Sequence, residues 1–230
     1  MTTWVLVHSP LVGPMTWEPV ADELRRRGLV ALVPDVGGAE EPGIPFWRYH
    51  AGTVGSRLGT PRPDERLVLA GHSGAGLLLP AVAEALGRPV AAYLFVDAGL
   101  PADGRRPIGD GPFADYLRDL FASGGRFPNW TDEELRDVLP DPDIRRRLVT
   151  SLRPRPPGYW EQPIPVPSVW PDAPCAYLRF APNPAYDDDA AEARRRGWPA
   201  LDMAGGHFHL LVSPAAVADA MRDLVDRCTA

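Results

Sequence analysis

"LVLAGHSGAG", residues 67–76, decides how this chain is read. A short apolar run enters Gly71-His72-Ser73-Gly74-Ala75-Gly76, and the chain leaves through the helix-patterned "GAGLLLPAVAEALG" (74–87). Strand, tight turn and helix in that order lift a serine hydroxyl above the end of a sheet. The backbone of such a turn takes strained angles, so its neighbours must be small. Gly71 stands two residues before the serine and Ala75 two after it. Ser73 is therefore the candidate nucleophile. The N–H of Gly74, at the positive end of the following helix, is a candidate donor to a developing oxyanion. The competing reading is a glycine-rich turn that only packs or binds phosphate.

Outward from that turn, short apolar runs alternate with helical patterns. Strands are predicted at "TWVLVH" (3–8), "LVALVPD" (29–35), "RLVLAG" (66–71), "PVAAYLFVDA" (89–98), "CAYLRF" (175–180) and "PALDM" (199–203). Helices are predicted at 17–28, 46–58, 74–87, 188–197 and 214–227, with the acids at 187–189 suited to a helix start. Strands apolar on both faces and separated by helices predict an α/β fold: a mostly parallel sheet of about six strands, covered on both sides. Residues 99–172 break the rhythm. They are rich in Pro, Arg, Asp and Trp, show no strand, and carry helical stretches at 113–124 and 131–139. They are read as a helical cap inserted into a core made of 1–98 and 173–230. The arginines at 145–147 and 194–196 are expected on solvated helix faces.

The 230-residue chain carries a net charge of −6, and all 24 of its basic residues are arginine. That balance does not favour nucleic acid or an anionic membrane surface as a partner. The start of the chain has no basic, apolar leader pattern, and no apolar run approaches the roughly 20 residues of a membrane helix. Cys175 and Cys228 form neither a disulfide framework nor a metal-ligand spacing. A cytoplasmic protein with reduced thiols is the expectation.

Four segments together resemble the α/β-hydrolase fold superfamily, in its esterase-like branch with a serine nucleophile. They are "VLVHSPLVGPMTW" (5–17), "LVPDV" (32–36), the turn around Ser73 and "GGHFHLLVSPAAVADAM" (205–221). The resemblance covers nearly the whole chain, with the usual first two strands absent. It implies that His207, after Gly206 and ahead of Pro214, is the general base and acid, with His209 as the alternative. It implies that His72 is structural and that His8 braces the oxyanion loop; His50 packs or faces solvent. Members often hold their catalytic acid after the strand that is here "CAYLRF", where this chain has Asn183. Others, such as the haloalkane dehalogenases, hold it at the end of the strand after the elbow helix, which here is Asp97. Asp97 is the expected acid, while Asp187, Asp188 and Asp189, or an asparagine-assisted pair using Asn183, remain open.

The oxyanion loop departs from the family pattern. A His-Gly-x sequence, whose last N–H binds the oxyanion, is replaced by His8-Ser9-Pro10, and proline has no N–H. The missing donor is expected from the N–H of Leu11 or from a side chain such as Ser9. Pro10, Trp130 and Trp160 are expected in the wall of an apolar substrate pocket, with further aromatics nearby. The activity implied is acyl transfer to water through an acyl-serine, on an ester, thioester or lactone of a small-to-medium apolar molecule. No metal or organic cofactor is implied. A lyase or cyclase on the same fold, and a non-catalytic small-molecule binder, are the alternatives.

Overall fold

The computed structural model describes residues 2–37, 43–58 and 64–230. Among them, six strands form one sheet: β1 Thr2–Val7, β2 Val30–Leu32, β3 Arg66–Ser73, β4 Val90–Ala98, β5 Cys175–Ala181 and β6 Ala200–Ala204. The order is β2-β1-β3-β4-β5-β6 and every neighbouring pair is parallel. The expected sheet is thus present, and parallel throughout.

Alternation along the central strands divides the apolar residues between two faces. Val5, Val7, Leu67, Leu69, Tyr93, Phe95 and Tyr177 look one way. They meet the helices α2 Phe46–Arg57, α3 Leu79–Leu86 and α7 Asp187–Arg195 through Phe46, Val54, Leu79, Val82 and Ala190. Trp4, Leu6, Val68, Ala70, Leu94, Val96 and Leu178 look the other way. They meet α1 Glu18–Arg26 and α8 Pro214–Thr229 through Val20, Leu24, Val217, Met221 and Leu224. Each such buried aliphatic side chain contributes about 1.5–3 kcal/mol over its exposed state.

Residues 99–174, between β4 and β5, hold α4 Pro112–Ala122, α5 Pro142–Thr150 and α6 Pro157–Glu161. Their apolar side chains do not form a core of their own. Phe127, Tyr159 and Trp160 join the first cluster, and Leu135, Leu139 and Leu148 the second. Two expectations for this segment are corrected. The helix predicted at 131–139 is a run of turns, whose backbone bonds mix three- and four-residue spacing. Pro140 cannot donate the next bond, and the carbonyls of Leu139 and Pro140 are taken at 2.7 and 2.9 Å by the Arg145 guanidinium. Arg145 is therefore buried and paired with Asp132 at 3.0 Å, while Arg146 and Arg147 are exposed.

Two buried histidines clasp the loop after β2. His8 Nε2 accepts from the N–H of Val36 at 3.1 Å, and His50 Nδ1 donates to the Val36 carbonyl at 2.5 Å. His50 packs edge-on against Phe46 and Tyr49. Burial pushes its imidazole down to about 4, and the nearby Arg155, His8 and Arg153 push the same way. The folded protein thus leaves His50 unprotonated where an unfolded chain, with an imidazole near 6.5, takes a proton. His50 is accordingly expected to cost stability progressively as pH falls from about 6.5 to about 4, and to cost none above that window. Chemical denaturation across this window checks it: the acid-side loss should be shallower in His50→Gln than in wild type. Identical slopes would contradict the assignment.

Candidate functional site

The site sits where β3 and β4 end, and the backbone itself marks it. Among the described residues other than glycine, Ser73 and Asp97 are the two with positive φ, at 60° and 44°. Such backbone costs of order 1–3 kcal/mol for each residue and persists only where the surroundings over-determine it. Ser73 closes β3 beside an irregularity in the pairing with β4, so that it faces Ala98 rather than Asp97. The slip turns the two side chains off the ladder at the carboxyl edge of the sheet, where sites form in parallel sheets.

The tight packing behind Ser73 falls one residue later than the sequence pattern suggests. Ala75 is accommodated and fully buried, and Gly76 is the position without room. A Cβ on Gly76 would lie 2.3 Å from the Gly99 carbonyl oxygen and 2.9 Å from Ala98 Cβ. The chain then makes a short 3-10 turn, Gly76–Leu78, before α3 begins.

Asp97 is fully buried and accepts three donors. The N–H of Phe180 reaches Oδ1 at 3.1 Å. Asn183 Nδ2 and His207 Nδ1 reach Oδ2 at 2.5 and 2.7 Å. Donation from Nδ1 leaves His207 Nε2 as the acceptor nitrogen. Asn183 Nδ2 and His207 Nδ1 lie 3.4 Å apart, two donors sharing one carboxylate oxygen. His207 is held from behind as well. His72 Nε2 donates to the His207 carbonyl at 2.9 Å, and the two rings stack at 4.5 Å. Burial holds the His72 imidazole well below its ordinary range.

Ser73 Oγ hydrogen-bonds to the Tyr186 hydroxyl at 3.1 Å. Tyr186 closes a 3-10 turn, Pro184–Tyr186, that is capped by Asn183, whose Oδ1 accepts from the N–H of Ala185 at 3.3 Å. Its ring lies nearly parallel to that of His207, with centroids 5.5 Å apart. Burial pushes the phenol far above its ordinary range. Nothing in the sequence singled out Tyr186, which reads as the lead-in to an acidic helix start.

The loop after β1 is pinned from three directions. His8 Nδ1 donates to the Ser9 carbonyl at 2.8 Å. Arg155 donates to the Pro10 carbonyl from Nε at 3.1 Å and Nη2 at 2.7 Å. The N–H of Arg153 donates to the Leu11 carbonyl at 2.8 Å. The N–H of Leu11, expected to point at an oxyanion, is engaged instead by Ser9 Oγ at 3.3 Å. Ser9 Oγ lies 3.5 Å from where a Gly74 side chain would begin, and Ser9 and Ser73 border the same space.

That space is a narrow cleft of about 10 Å³, walled by Ser9, Leu11, Val12, His72, Ser73, Trp130, His207 and Phe208. Of the three residues expected in the pocket wall, Trp130 is there. Trp160 is buried in the aromatic cluster with Phe127 and Tyr159, and Pro10 is buried with its carbonyl turned to Arg155. The other acids lie elsewhere. Asp189 is buried in a two-pronged pair with Arg105, at 2.6 and 3.1 Å. Asp187 pairs with Arg179, and Asp188 is exposed. His209 packs against Phe180 at the start of a short helix, away from the cleft. Another cavity, of about 460 Å³, opens at the amino ends of β1, β3 and β4 beside Arg66 and Arg222, and its lining holds no serine, cysteine or histidine. Among the described residues no group of three or more His, Cys, Asp or Glu side chains is placed to hold a metal, and no helix is long and apolar enough to cross a membrane.

No protein-family model matches the chain. An esterase of rice, Oryza sativa subsp. japonica (PIR7B), is 32% identical over 109 residues, a stretch that covers 44% of this chain and 40% of the rice protein. Solved structures match along nearly the full length. An extracellular α/β-hydrolase from a Paenibacillus species superposes with a TM-score of 0.77 at 20% identity, covering 97% of this chain and 99% of that one. A pyrethroid hydrolase from Sphingobium faniae JZ-2 superposes with a TM-score of 0.72 at 18% identity, covering 98% of each chain. These likenesses establish the fold.

The packing behind the turn carries its own test. Gly76→Ala pushes a methyl group into backbone that cannot yield, so it is expected to lower unfolding stability by about 1–3 kcal/mol. Denaturant unfolding measures this, and wild-type stability in the variant would contradict the packing described.

Proposed function

We propose that this chain, which has the α/β-hydrolase fold, is a serine hydrolase of carboxylic esters, thioesters or lactones with a small-to-medium apolar acyl group. The observation that carries the reading is the buried Asp97–His207 bond of 2.7 Å, set beside a strained Ser73 in one cleft. A carboxylate in that position holds the imidazole tautomer whose Nε2 accepts a proton, and it stabilises the imidazolium that results. The esterase match and the hydrolase-fold neighbours support the same class of chemistry.

The proposed reaction passes through an acyl-serine. The Ser73 hydroxyl rotates from Tyr186 toward His207, gives its proton to Nε2, and its oxygen attacks the carbonyl carbon. Charge develops on the carbonyl oxygen, which faces the Gly74 N–H and the Ser9 hydroxyl. Ser9 Oγ already accepts from Leu11, so its own proton is free to point into the cleft. A hydroxyl thereby takes the place of the backbone donor that Pro10 lacks, and Leu11 acts through Ser9. One such donor is worth about 2.7–4 kcal/mol of transition-state stabilisation. His207 returns the proton to the departing alcohol oxygen, leaving acyl-Ser73. Water repeats the sequence, so ester and water become acid and alcohol. Residues 99–172 serve as the cap, with Trp130 setting the acyl side of the cleft.

A second reading keeps the fold and drops the hydrolysis. The proline in the oxyanion loop favours a lyase or cyclase that uses His207 for proton transfer alone.

Turnover of p-nitrophenyl esters and labelling by a fluorophosphonate separate the two. Wild type is expected to turn over short-chain esters and to label at Ser73; Ser73→Ala should do neither. Asp97→Asn, whose amide NH2 must face one of the three donors, should lower stability and lose about 10³–10⁴-fold in kcat. Full activity in Asp97→Asn would remove Asp97 from the role, and no labelling of wild type would move the reading to proton-transfer chemistry.

A further inference from the structure

Tyr186 is the polar group touching Ser73 Oγ that the reading above leaves without a role. Its position relative to the rest of the site is specific. Its ring stacks along His207, 5.5 Å between centroids and 20° between planes. The proposed oxyanion donors belong to other elements: Gly74 N–H to the turn after β3 and Ser9 Oγ to the loop after β1. In acyl transfer the oxyanion turns toward its donors, and the leaving oxygen departs toward the general acid that must protonate it. A hydroxyl that shares the His207 side and lies 3.1 Å from Ser73 Oγ is therefore beside the departing oxygen, not the oxyanion.

We propose that the Tyr186 hydroxyl is a catalytic hydrogen-bond donor to the leaving-group oxygen, which directs this site toward esters of poorly leaving, alkyl-type alcohols. The inference rests on the serine-hydrolase reading. In the free enzyme Tyr186 and Ser73 satisfy one another. When Ser73 turns to His207, the Tyr186 O–H is released toward the oxygen on which charge grows as the carbon–oxygen bond breaks. His207 Nε2–H supplies the proton that leaves with the alcohol, and Tyr186 keeps its own, so the step needs no further reactant.

The chain holds the phenol there deliberately. Tyr186 closes the turn capped by Asn183, and the same Asn183 side chain donates to Asp97 at 2.5 Å. One short element thus grips the acid at one end and the nucleophile at the other. The raised phenol keeps its proton throughout the neutral range, as a donor requires.

Leaving-group dependence tests this. A phenol donor should help an alkoxide, which leaves badly, far more than p-nitrophenolate, which leaves without assistance. Tyr186→Phe keeps the ring on His207 and removes only the hydroxyl. Alcohol release would be measured in single turnover, with enzyme in excess, for a p-nitrophenyl ester and a methyl ester of the same short acid, with fluorophosphonate labelling of Ser73 alongside. Wild type should label and release both alcohols. Tyr186→Phe should label, lose less than about tenfold with the p-nitrophenyl ester, and lose about a hundredfold or more with the methyl ester. Equal losses on both esters, or no loss on the methyl ester, would overturn the role for Tyr186 while leaving the hydrolase intact. Absence of labelling and of alcohol release in wild type would overturn the hydrolase reading itself, and this inference with it.

Discussion

A fully buried carboxylate must be compensated, and the site is organised around how Asp97 achieves this. Its three donors come from three separate parts of the chain. The Phe180 N–H belongs to β5, Asn183 caps the turn after it, and His207 follows β6. Each is a condition on where that segment lies. β5 must pair beside β4, the chain must turn sharply after Ala181, and the loop after β6 must fold back across the sheet edge. Removing any one of these leaves a buried charge short of a partner, which costs more than the bond itself. The Asp97 carboxylate is thus a structural anchor as much as a chemical group.

The second constraint is strain, and the sheet supplies the means to hold it. Ser73 and Asp97 end adjacent central strands whose flanking residues are fully buried on both faces. The pairing irregularity between β3 and β4 offsets the two, and the missing side chain of Gly76 lets the following turn sit against Gly99. Residues 153–155 reach from the inserted segment to hold the loop after β1 through the carbonyls of Pro10 and Leu11. That loop keeps its shape without a glycine at position 9, and the freed position carries a hydroxyl at the cleft. Arginine suits this work because its planar fork reaches one carbonyl with two donors and is charged at every relevant pH.

The sheet was legible in the sequence because its strands are short apolar runs with no competing period. The turn around Ser73 was legible because a strained strand-to-helix turn tolerates few residue types. Asp97 was legible because an asparagine stands where an acid is more often found, and Asp97 is the acid at the end of the neighbouring strand. Other features were not legible, for physical reasons. Asn183 serves the Asp97 carboxylate rather than replacing it, a relation set by a 2.5 Å contact across 86 residues of chain. Tyr186 precedes three aspartates, and its orientation depends on the turn made after β5. Arg145 resembles its neighbours Arg146 and Arg147, yet only its side chain reaches back to the Leu139 and Pro140 carbonyls. Trp130 and Trp160 both pack against Phe127, yet only Trp130 reaches the wall of the cleft.

The central claim is that a covalent bond forms between Ser73 and the acyl group of the substrate. Rapid acid quench of the enzyme with a short-chain ester, followed by peptide mass mapping, tests it directly. The account predicts an acyl-sized mass increase on the peptide containing Ser73, appearing before product accumulates and missing in Ser73→Ala. Product formed by wild type with no acylated Ser73 at any quench time would contradict it.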